Sequence, residues 1–395
     1  MEVQILSKDN EPRGKAPPRL KVTLGSIDVS IVNALRRVIT SNISTLVFRG
    51  FPHNENQIDI VKNTTKFNNE YLKHRLSCIP IMNNDDTTFS TFCKLYQLEL
   101  NVTNPTLEQR MVTTADLKII NKKTQKPIEE KVDKYFPTDP ITGDHILICI
   151  LYPNQNKQDE DESLHFIANF DIGRAEECSC WNVAHHCVFE QVQNASKIKE
   201  EAIKIEDKQL KKDFLLLDAQ RIVNPNEFTL SLESVGIYSN EVLIYKACEY
   251  ILKRIEKING FFSQNTNKEI QNKTDYEEFT SDGTRSQEER EEIQQNYCAL
   301  YKEDAFYIFE LKEDDYTMGK MIESYFFMLH EAVVSFVGFK KEHPTKKEAY
   351  IYIRYKDPET SHETIYQHFK DVIDILSNQF IRIQREFSSI KLENK

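Results

Sequence analysis

Long apolar runs are missing from this chain of 395 residues. The longest clean one, residues 146–152, is far shorter than the roughly 20 residues that cross a bilayer, so it predicts a buried strand. The first residues, MEVQILSKDNEPRGK, are too polar for a secretion signal. A Gly-rich phosphate loop, a nucleophile paired with a base and a pair of metal-binding carboxylates are also missing, which argues against an active site.

A net positive charge is missing as well. The net charge of −11 argues against a protein that grips nucleic acid over a broad face, because phosphate binding needs a basic stripe. Membership of a larger nucleic-acid machine, in which other chains make those contacts, stays open. The eight cysteines are irregularly spaced, which fits reduced thiols in a cytosolic or nuclear compartment rather than a disulfide framework.

Two stretches almost three hundred residues apart are versions of one unit. The first begins at Asp28 and the second at Asp315, and their alignment places Ser30 on Thr317. Each continues with an apolar helical stripe and ends in an aromatic strand that closes on Gly-Phe. Because a chain with two copies of one dimerisation unit can pair them internally, this repeat predicts the architecture.

Hydrophobic periodicity divides the chain into parts of different character. A strand at 19–25 precedes a helix with Asp28 as its N-cap, and a strand at 227–235 precedes a helix at 241–259 that Gly260 ends. The pattern predicts an α+β fold with these domains: a discontinuous first dimerisation domain (1–50 and 171–260), an inserted β-rich domain (51–170), an acidic flexible linker (261–300) and a second dimerisation domain (301–395).

The last helix, at 365–390, carries an apolar stripe over about seven turns and therefore needs a partner helix. The helix at 241–259 is the obvious candidate. The predicted interface between them consists of Leu243, Ile251, Ile255, Phe369, Leu376, Phe380 and Ile383.

Five motifs then follow one another along the chain. They are Asn33-Ala-Leu-Arg36-Arg37; Glu70-Tyr-Leu-Lys-His74-Arg75-Leu-Ser-Cys-Ile-Pro80; Gly173-Arg174-Ala-Glu176 followed by Trp181; Leu232-Glu-Ser-Val-Gly236; and Asp315-Tyr-Thr317-Met-Gly319 with His343-Pro344. The first four resemble the α-like subunits of cellular RNA polymerases, which include bacterial α, its archaeal counterpart and the third-largest subunit of polymerase II. The fifth is similar to their smaller partner, the eleventh subunit of polymerase II or its archaeal counterpart.

This resemblance implies a non-catalytic assembly platform of a multisubunit DNA-directed RNA polymerase, a nucleotidyltransferase complex. The two largest subunits and small polymerase subunits would dock on it, without a cofactor and with DNA and RNA contacted only through the complex. A fused pair resembles the arrangement in large DNA viruses of the African swine fever virus type. That implies an intracellular, reducing location, in host cytoplasm (a viral factory), in the virion or in the nucleus.

Two other functions stay open on the residues alone. One is a free-standing oligomeric scaffold or transcription regulator with the same dimerisation fold, and the other is an enzyme built on a cluster of cysteines and histidines. Co-purification with two very large chains would favour the polymerase.

The resemblance also implies which residues contact the large subunits: Asn33, Arg36, Arg37, His74, Arg75, Gly173, Arg174 and Trp181. Arg36 and Arg37 lie off the apolar stripe, so they are equally compatible with solvated helix residues. His74 and Arg75 precede a predicted strand at Ile79-Pro80 and are also compatible with an exposed turn.

One cluster has metal-like spacing and consists of Cys178, Cys180, His185, His186 and Cys187. Thiolates and imidazoles bind Zn²⁺, but adjacent histidines point to opposite faces of an extended segment. The resembling loop binds no metal, and a packed loop anchored by Trp181 also explains the pattern, so no metal is predicted. Some family members hold a zinc or iron–sulfur centre in the inserted domain, where here only Cys78 and Cys93 lie nearby.

Overall fold

The computed structural model describes residues 3–13, 16–83, 85–128, 132–153, 160–265, 269–274 and 297–388. Its strands are β1 (Gln4–Arg13), β2 (Ala16–Gly25), β3 (Thr45–Val47), β4 (Ile58–Asn63), β5 (Tyr96–Thr103), β6 (Arg110–Thr113), β7 (Lys118–Asn121), β8 (Leu147–Leu151), β9 (Ser163–Asn169), β10 (Asp171–Gly173), β11 (Ala184–Gln193), β12 (Val223–Ser234), β13 (Cys298–Glu303), β14 (Phe306–Leu311), β15 (Val334–Lys340) and β16 (Ala349–Tyr355). Its helices are α1 (Val29–Ser41), α2 (Asn69–Ser77), α3 (Phe89–Leu95), α4 (Ala195–Ile203), α5 (Lys208–Leu216), α6 (Asn240–Asn265), α7 (Tyr316–His330) and α8 (His362–Glu386). The predicted mixed α+β class is confirmed.

The first sheet has the antiparallel order β1-β2-β12-β11. Strand β1 was not expected, because its polar sequence gives no alternating pattern; it pairs with β2 at the sheet edge, where Asp9 lies opposite Lys21. The predicted N-cap of α1 is confirmed, since the Asp28 carboxylate accepts a hydrogen bond of 2.9 Å from the amide of Ser30.

The region between β3 and β10 forms a sheet of order β4-β9-β5-β7 and a separate pair, β6-β8. The strand predicted at 146–152 is present as β8, and the helices α2 and α3 lie among the strands of this region. The strand expected at Ile79-Pro80 is wrong, because those residues follow α2 without regular structure. Helix α2 forms because Asn68 caps it and because Leu72 and Leu76, one turn apart, are both buried.

The predicted end of helix α6 at Gly260 is wrong, because the helix continues to Asn265. A glycine inside a helix costs roughly 1 kcal/mol. The next turn offsets this because Phe262 is 1% exposed and stacks on Phe369 with ring centroids 5.0 Å apart. The predicted linker at 261–300 is therefore too long at its start. It is also too long at its end, where β13 begins at Cys298, and residues 266–268 and 275–296 of it lie outside the described residues.

The second sheet has the antiparallel order β13-β14-β16-β15. The sequence at 332–339 and 348–355, with a turn around His343-Pro344, predicts a hairpin. Strands β15 and β16 confirm it, with Val337 opposite Ile353. Helix α8 starts at the N-cap Ser361 and gives the predicted terminal helix, of which Ile390 lies outside the described residues. None of the helices in the described ranges is long and apolar enough to cross a membrane.

One part of the first half was not expected. Helices α4 and α5 follow β11, each with a side-chain N-cap, Asn194 and Asp207 respectively. Leu210 and Leu216 of α5 and Ile203 of α4 are exposed, whereas Ala202 of α4 is buried. Apolar burial therefore contributes little to holding α5 in place.

Candidate functional site

Helices α6 and α8 pack against each other and join the two halves of the chain. All seven residues of the predicted interface are at most 2% exposed, and one continuous core contains them: Leu243, Ile251, Ile255, Phe369, Leu376, Phe380 and Ile383. A buried hydrogen bond of 2.9 Å from the amide of Val3 to Oε1 of Gln379 ties the start of the first sheet to α8. Burial of this kind accounts for most of the stability of a helix pair.

Helices α1 and α7, which follow the two aspartates of the predicted repeat, also contact each other. Asp315 caps α7 through the amide of Thr317 at 2.8 Å, as Asp28 caps α1. Arg37 of α1 donates from Nε to Thr317 Oγ1 at 2.9 Å and forms an ion pair with Asp315. In return, Tyr325 of α7 lies close to Asp28, because burial and then the charge of Asp28 raise the pKa of this tyrosine. Each helix start thus meets the third turn of the other helix, the reciprocity expected of a two-fold interface.

A third contact is ionic and buried. Arg254 of α6 pairs with Asp314, whose side chain is 0% exposed, and the Tyr297 hydroxyl also hydrogen-bonds to that carboxylate. Burial raises the pKa of Asp314 to about 7 although the Arg254 charge acts to lower it. Burial acts to lower the pKa of Arg254, but the attraction to Asp314 raises it above its usual value, so this guanidinium stays charged. Of these two adjacent acids, only Asp315 caps α7.

A cavity of about 390 Å³ lies where these contacts meet. Residues of α1, α6 and the second half line it, among them Val38, Asn42, Arg254, Asp315, Met318 and Lys341.

The predicted docking residues on α1 differ in how many contacts they already make within the chain. Arg36 is half-buried and donates from Nε to Oδ1 of Asn33 at 3.0 Å. Burial raises the pKa of the nearby Cys187 thiol, whereas the charge of Arg36 acts to lower it. Arg37 already serves the contact with α7, although its side chain keeps 36% exposure. Docking by Arg36 and Asn33 stays a prediction, whereas the charge of Arg37 has a partner within the chain.

The loop after β10 is held by its tryptophan. Trp181 is 6% exposed and so close to Gly173 that a Cβ atom there would lie 2.5 Å from the indole. Arg49 stacks on the indole at 4.7 Å and pairs with Asp171 and Glu177, both at 2.8 Å. Gly173 and Trp181 were predicted to contact a partner. They pack against each other instead and leave little accessible surface for another chain.

Three further predicted docking residues keep accessible surface. His74 is exposed, and Arg75 beside it donates from Nη2 to the carbonyl of Leu147 at 2.6 Å. Arg174 donates from Nε to Ser44 Oγ at 3.1 Å and lies 5.8 Å from the Tyr250 ring. The arginines are thus fixed in place by the chain while part of each side chain stays accessible to a partner.

The cysteine and histidine cluster does not converge on one point. Cys178 and Cys180 lie in or next to the turn before Trp181, whereas His185 and Cys187 lie on β11. His185 is exposed and Cys187 is buried. In the part of the chain that the structure describes, no group of three or more His, Cys, Asp or Glu side chains is arranged to hold a metal ion.

Sequence reasoning missed Arg49, Arg254 and the role of Asp314. A charged residue on an otherwise apolar stripe was the available signal for Arg254, which follows Ile251 on α6. No local pattern pointed to Arg49, because its two closest partners, Asp171 and Glu177, lie more than a hundred residues away.

Each half of the chain thus has a sheet backed by a long helix, and two helix pairs join the halves. The family model for the RNA polymerase Rpb3/Rpb11 dimerisation domain matches residues 21–255, more than half of the chain. The chain belongs to this family, whose domain is found in subunits of DNA-directed RNA polymerases. The match covers the first half with its inserted region and ends within α6.

A curated relative adds a weaker likeness. The chain is 31% identical over 110 residues to a conjugation stage-specific protein of Tetrahymena thermophila, over 25% of this chain and 33% of that protein. The chain therefore spans about a third of that relative's length.

Proposed function

We propose that this protein is a non-catalytic assembly platform of a multisubunit DNA-directed RNA polymerase. In this proposal the chain is an intramolecular pseudo-heterodimer, with the first unit formed by 1–50 and 171–265, the inserted domain by 51–170 and the second unit by 297–395. The two largest subunits and small polymerase subunits dock on its outer surface, and DNA and RNA are contacted only through them.

The observation that carries the proposal is the reciprocal contact of α1 and α7. Both helices have an aspartate cap that binds the amide two residues on. Each cap then meets the third turn of the opposite helix, through Arg37 in one direction and Tyr325 in the other. Membership of the Rpb3/Rpb11 dimerisation family supports reading this contact as a dimer interface within one chain.

The surface proposed to bind the large subunits contains fewer residues than the sequence motifs predict. It comprises Asn33 and Arg36 on α1, His74 and Arg75 on α2, and Arg174 after β10. These side chains are half-buried or exposed, and the arginines are oriented by contacts within the chain. Arg suits such a surface because its planar fork matches carboxylates of a partner.

Reconstitution with the two large subunits tests this surface. A tagged Arg36→Ala, Arg75→Ala double variant should keep its circular dichroism and melting curve, because neither side chain is part of the core. It should recover much less of the large subunits, since a buried charged contact typically contributes about 2–5 kcal/mol and one at the rim far less.

A Lys253→Ala variant is the matched control, because Lys253 is 70% exposed and its ion pair, among the described residues, is with Glu249 of its own helix. Full recovery of the large subunits by the double variant would mean that these arginines are ordinary solvated residues. A wild-type chain that recovers no large subunit from its native source would favour a free-standing scaffold instead.

The proposed location follows from the proposed complex. Fusion of two α-like units suggests a viral polymerase, which places the protein in the host cytoplasm, the virion or the nucleus. Immunolocalisation together with the large subunits tests this part.

A further inference from the structure

Three thiols meet where the loop after β10 touches the end of α2. The Sγ atoms of Cys178 and Cys180 are 3.0 Å apart. Cys78, the C-cap of α2, lies close enough to Cys180 to contribute to the raised pKa of its thiol, after burial and Cys178. Cys178 and Cys78 are exposed and Cys180 is half-buried. Accessible thiols therefore adjoin one another at this place, whereas Cys248 and Cys298 are buried in the core.

The two members of the C-x-C pair differ in accessibility. Burial and the two neighbouring thiols raise the pKa of Cys180, so this thiol stays protonated at neutral pH. Cys178 is the member that a dissolved reagent reaches first. A disulfide has an S–S distance of about 2.05 Å, so the pair closes with a movement of about 1 Å.

We propose that Cys178 and Cys180 are a reversible thiol–disulfide site that exchanges with low-molecular-weight disulfides such as oxidised glutathione. The Cys178 thiolate attacks one sulfur of oxidised glutathione, whose S–S bond breaks, and one glutathione leaves as a thiolate that takes a proton from water. Cys180 loses its proton to solvent and attacks Cys178 Sγ, forming the protein disulfide and releasing the second glutathione. The protein dithiol gives up two electrons and two protons, and the glutathione disulfide takes them.

The structure provides its own reporter for this reaction. Trp181 is the only tryptophan of the chain and follows Cys180 in the same short turn, Ser179–Trp181. Its indole is fixed between Gly173 and Arg49. A disulfide next to an indole quenches its fluorescence by accepting an electron from the excited state, whereas two thiols quench it much less.

The full chain is equilibrated in glutathione buffers of increasing oxidised-to-reduced ratio, then acid-quenched, denatured and alkylated for mass analysis. We expect the number of alkylated cysteines to fall by two, with the loss mapped to the peptide that contains Cys178 and Cys180. Trp181 fluorescence should fall over the same range of ratios and return with dithiothreitol. Cys178→Ser should abolish the fluorescence change.

Two variants separate this site from its neighbours. Cys93→Ser removes a half-buried thiol elsewhere and should leave the response unchanged. Cys78→Ser should also keep it, because the proposed bond does not include Cys78. A glutathione adduct on Cys178 that never loses the second thiol would overturn the proposal, as would a disulfide mapped to Cys78. The chemistry is measured on the isolated chain and does not rest on the polymerase role.

Discussion

The two helix pairs that join the halves differ in kind. The α6–α8 pair is apolar, and its members Leu376 and Phe380 are 0% exposed. The α1–α7 pair is completed by side chains of Arg37 and Asp315 that keep 36% and 39% exposure. Apolar burial is strong but not directional, whereas a capped, paired carboxylate tolerates one arrangement. We infer that α6–α8 provides most of the association energy and that α1–α7 fixes the register of the two halves.

A charge inside the α6–α8 pair should have the largest effect. Phe380→Asp buries an unpaired carboxylate and removes a ring, which should cost several kcal/mol of unfolding free energy. Urea denaturation of the full chain measures it, with Phe380→Leu as the control of similar polarity. With a protease site inserted after Ser281, the cut wild-type halves should stay together on a sizing column and the Asp variant should separate. Separation of the wild-type halves would contradict internal pairing.

The buried Arg254–Asp314 pair should come next. Arg254→Ala leaves a buried carboxylate without its cation, which typically costs about 3–5 kcal/mol. The loss should depend on pH, because the pKa of Asp314 is raised to about 7 and rises further without Arg254. Because the folded-state pKa of Asp314 is raised, its contribution to stability is fully present below the unfolded-state pKa near 4. This contribution is lost as the pH rises through the folded-state pKa.

The variant should therefore be least affected near pH 5 and most affected near pH 8.5. Thermal unfolding at both values measures this, and Arg254→Ala, Asp314→Asn should lose this pH dependence because the buried acid with the raised pKa is gone. Equal destabilisation at both pH values would show that Arg254 acts through packing alone.

Removing the Arg37 contact should have a small effect on stability and a larger one on register. Arg37→Ala breaks a partly exposed pair, which is worth about 0.2–1 kcal/mol and weakens with salt. Arg36→Ala on the same helix is the control. Crosslinking between engineered cysteines at Ser30 and Glu323 should become less selective in the Arg37 variant if the pair fixes register. Unchanged selectivity would assign the register to the apolar pair.

A stacked histidine pair between α7 and α8 should give the smallest effect. His330 and His368 stack at 4.0 Å, with Tyr355 at 3.1 Å from Nδ1 of His368. Burial lowers the pKa of both, while Asp371 acts to raise them. Because the folded-state pKa of both histidines is lowered, their contribution to stability is present above the unfolded-state pKa near 6.5. This contribution is lost as the pH falls below that value. In the His368→Gln variant the melting temperature should change less between pH 7.5 and pH 5 than in the wild type. His343→Gln, on an exposed turn, should keep the wild-type pH dependence.

The sequence carried much of this fold because its periodic signals are strong. The stripe of α8, the cap at Asp28 and the hairpin near His343 were all predictable from local patterns. Strand β1 was not, since polar edge strands lack alternation. The end of α6 was missed because the burial of Phe262 outweighs the local preference of Gly260.

For the candidate site, local sequence patterns pointed to several of the residues, whereas long-range contacts determine what those residues do. The aspartate–Ser/Thr pairs and the apolar stripes determined that two similar units exist, because helix capping and periodicity involve near neighbours only. Only the tertiary structure decided that Arg37 pairs with Asp315, that Arg254 meets the buried Asp314 and that Trp181 packs on Gly173. Each of these contacts joins residues far apart in the chain or from different elements. Their geometry depends on how whole sheets and helices pack, which no local window of sequence contains.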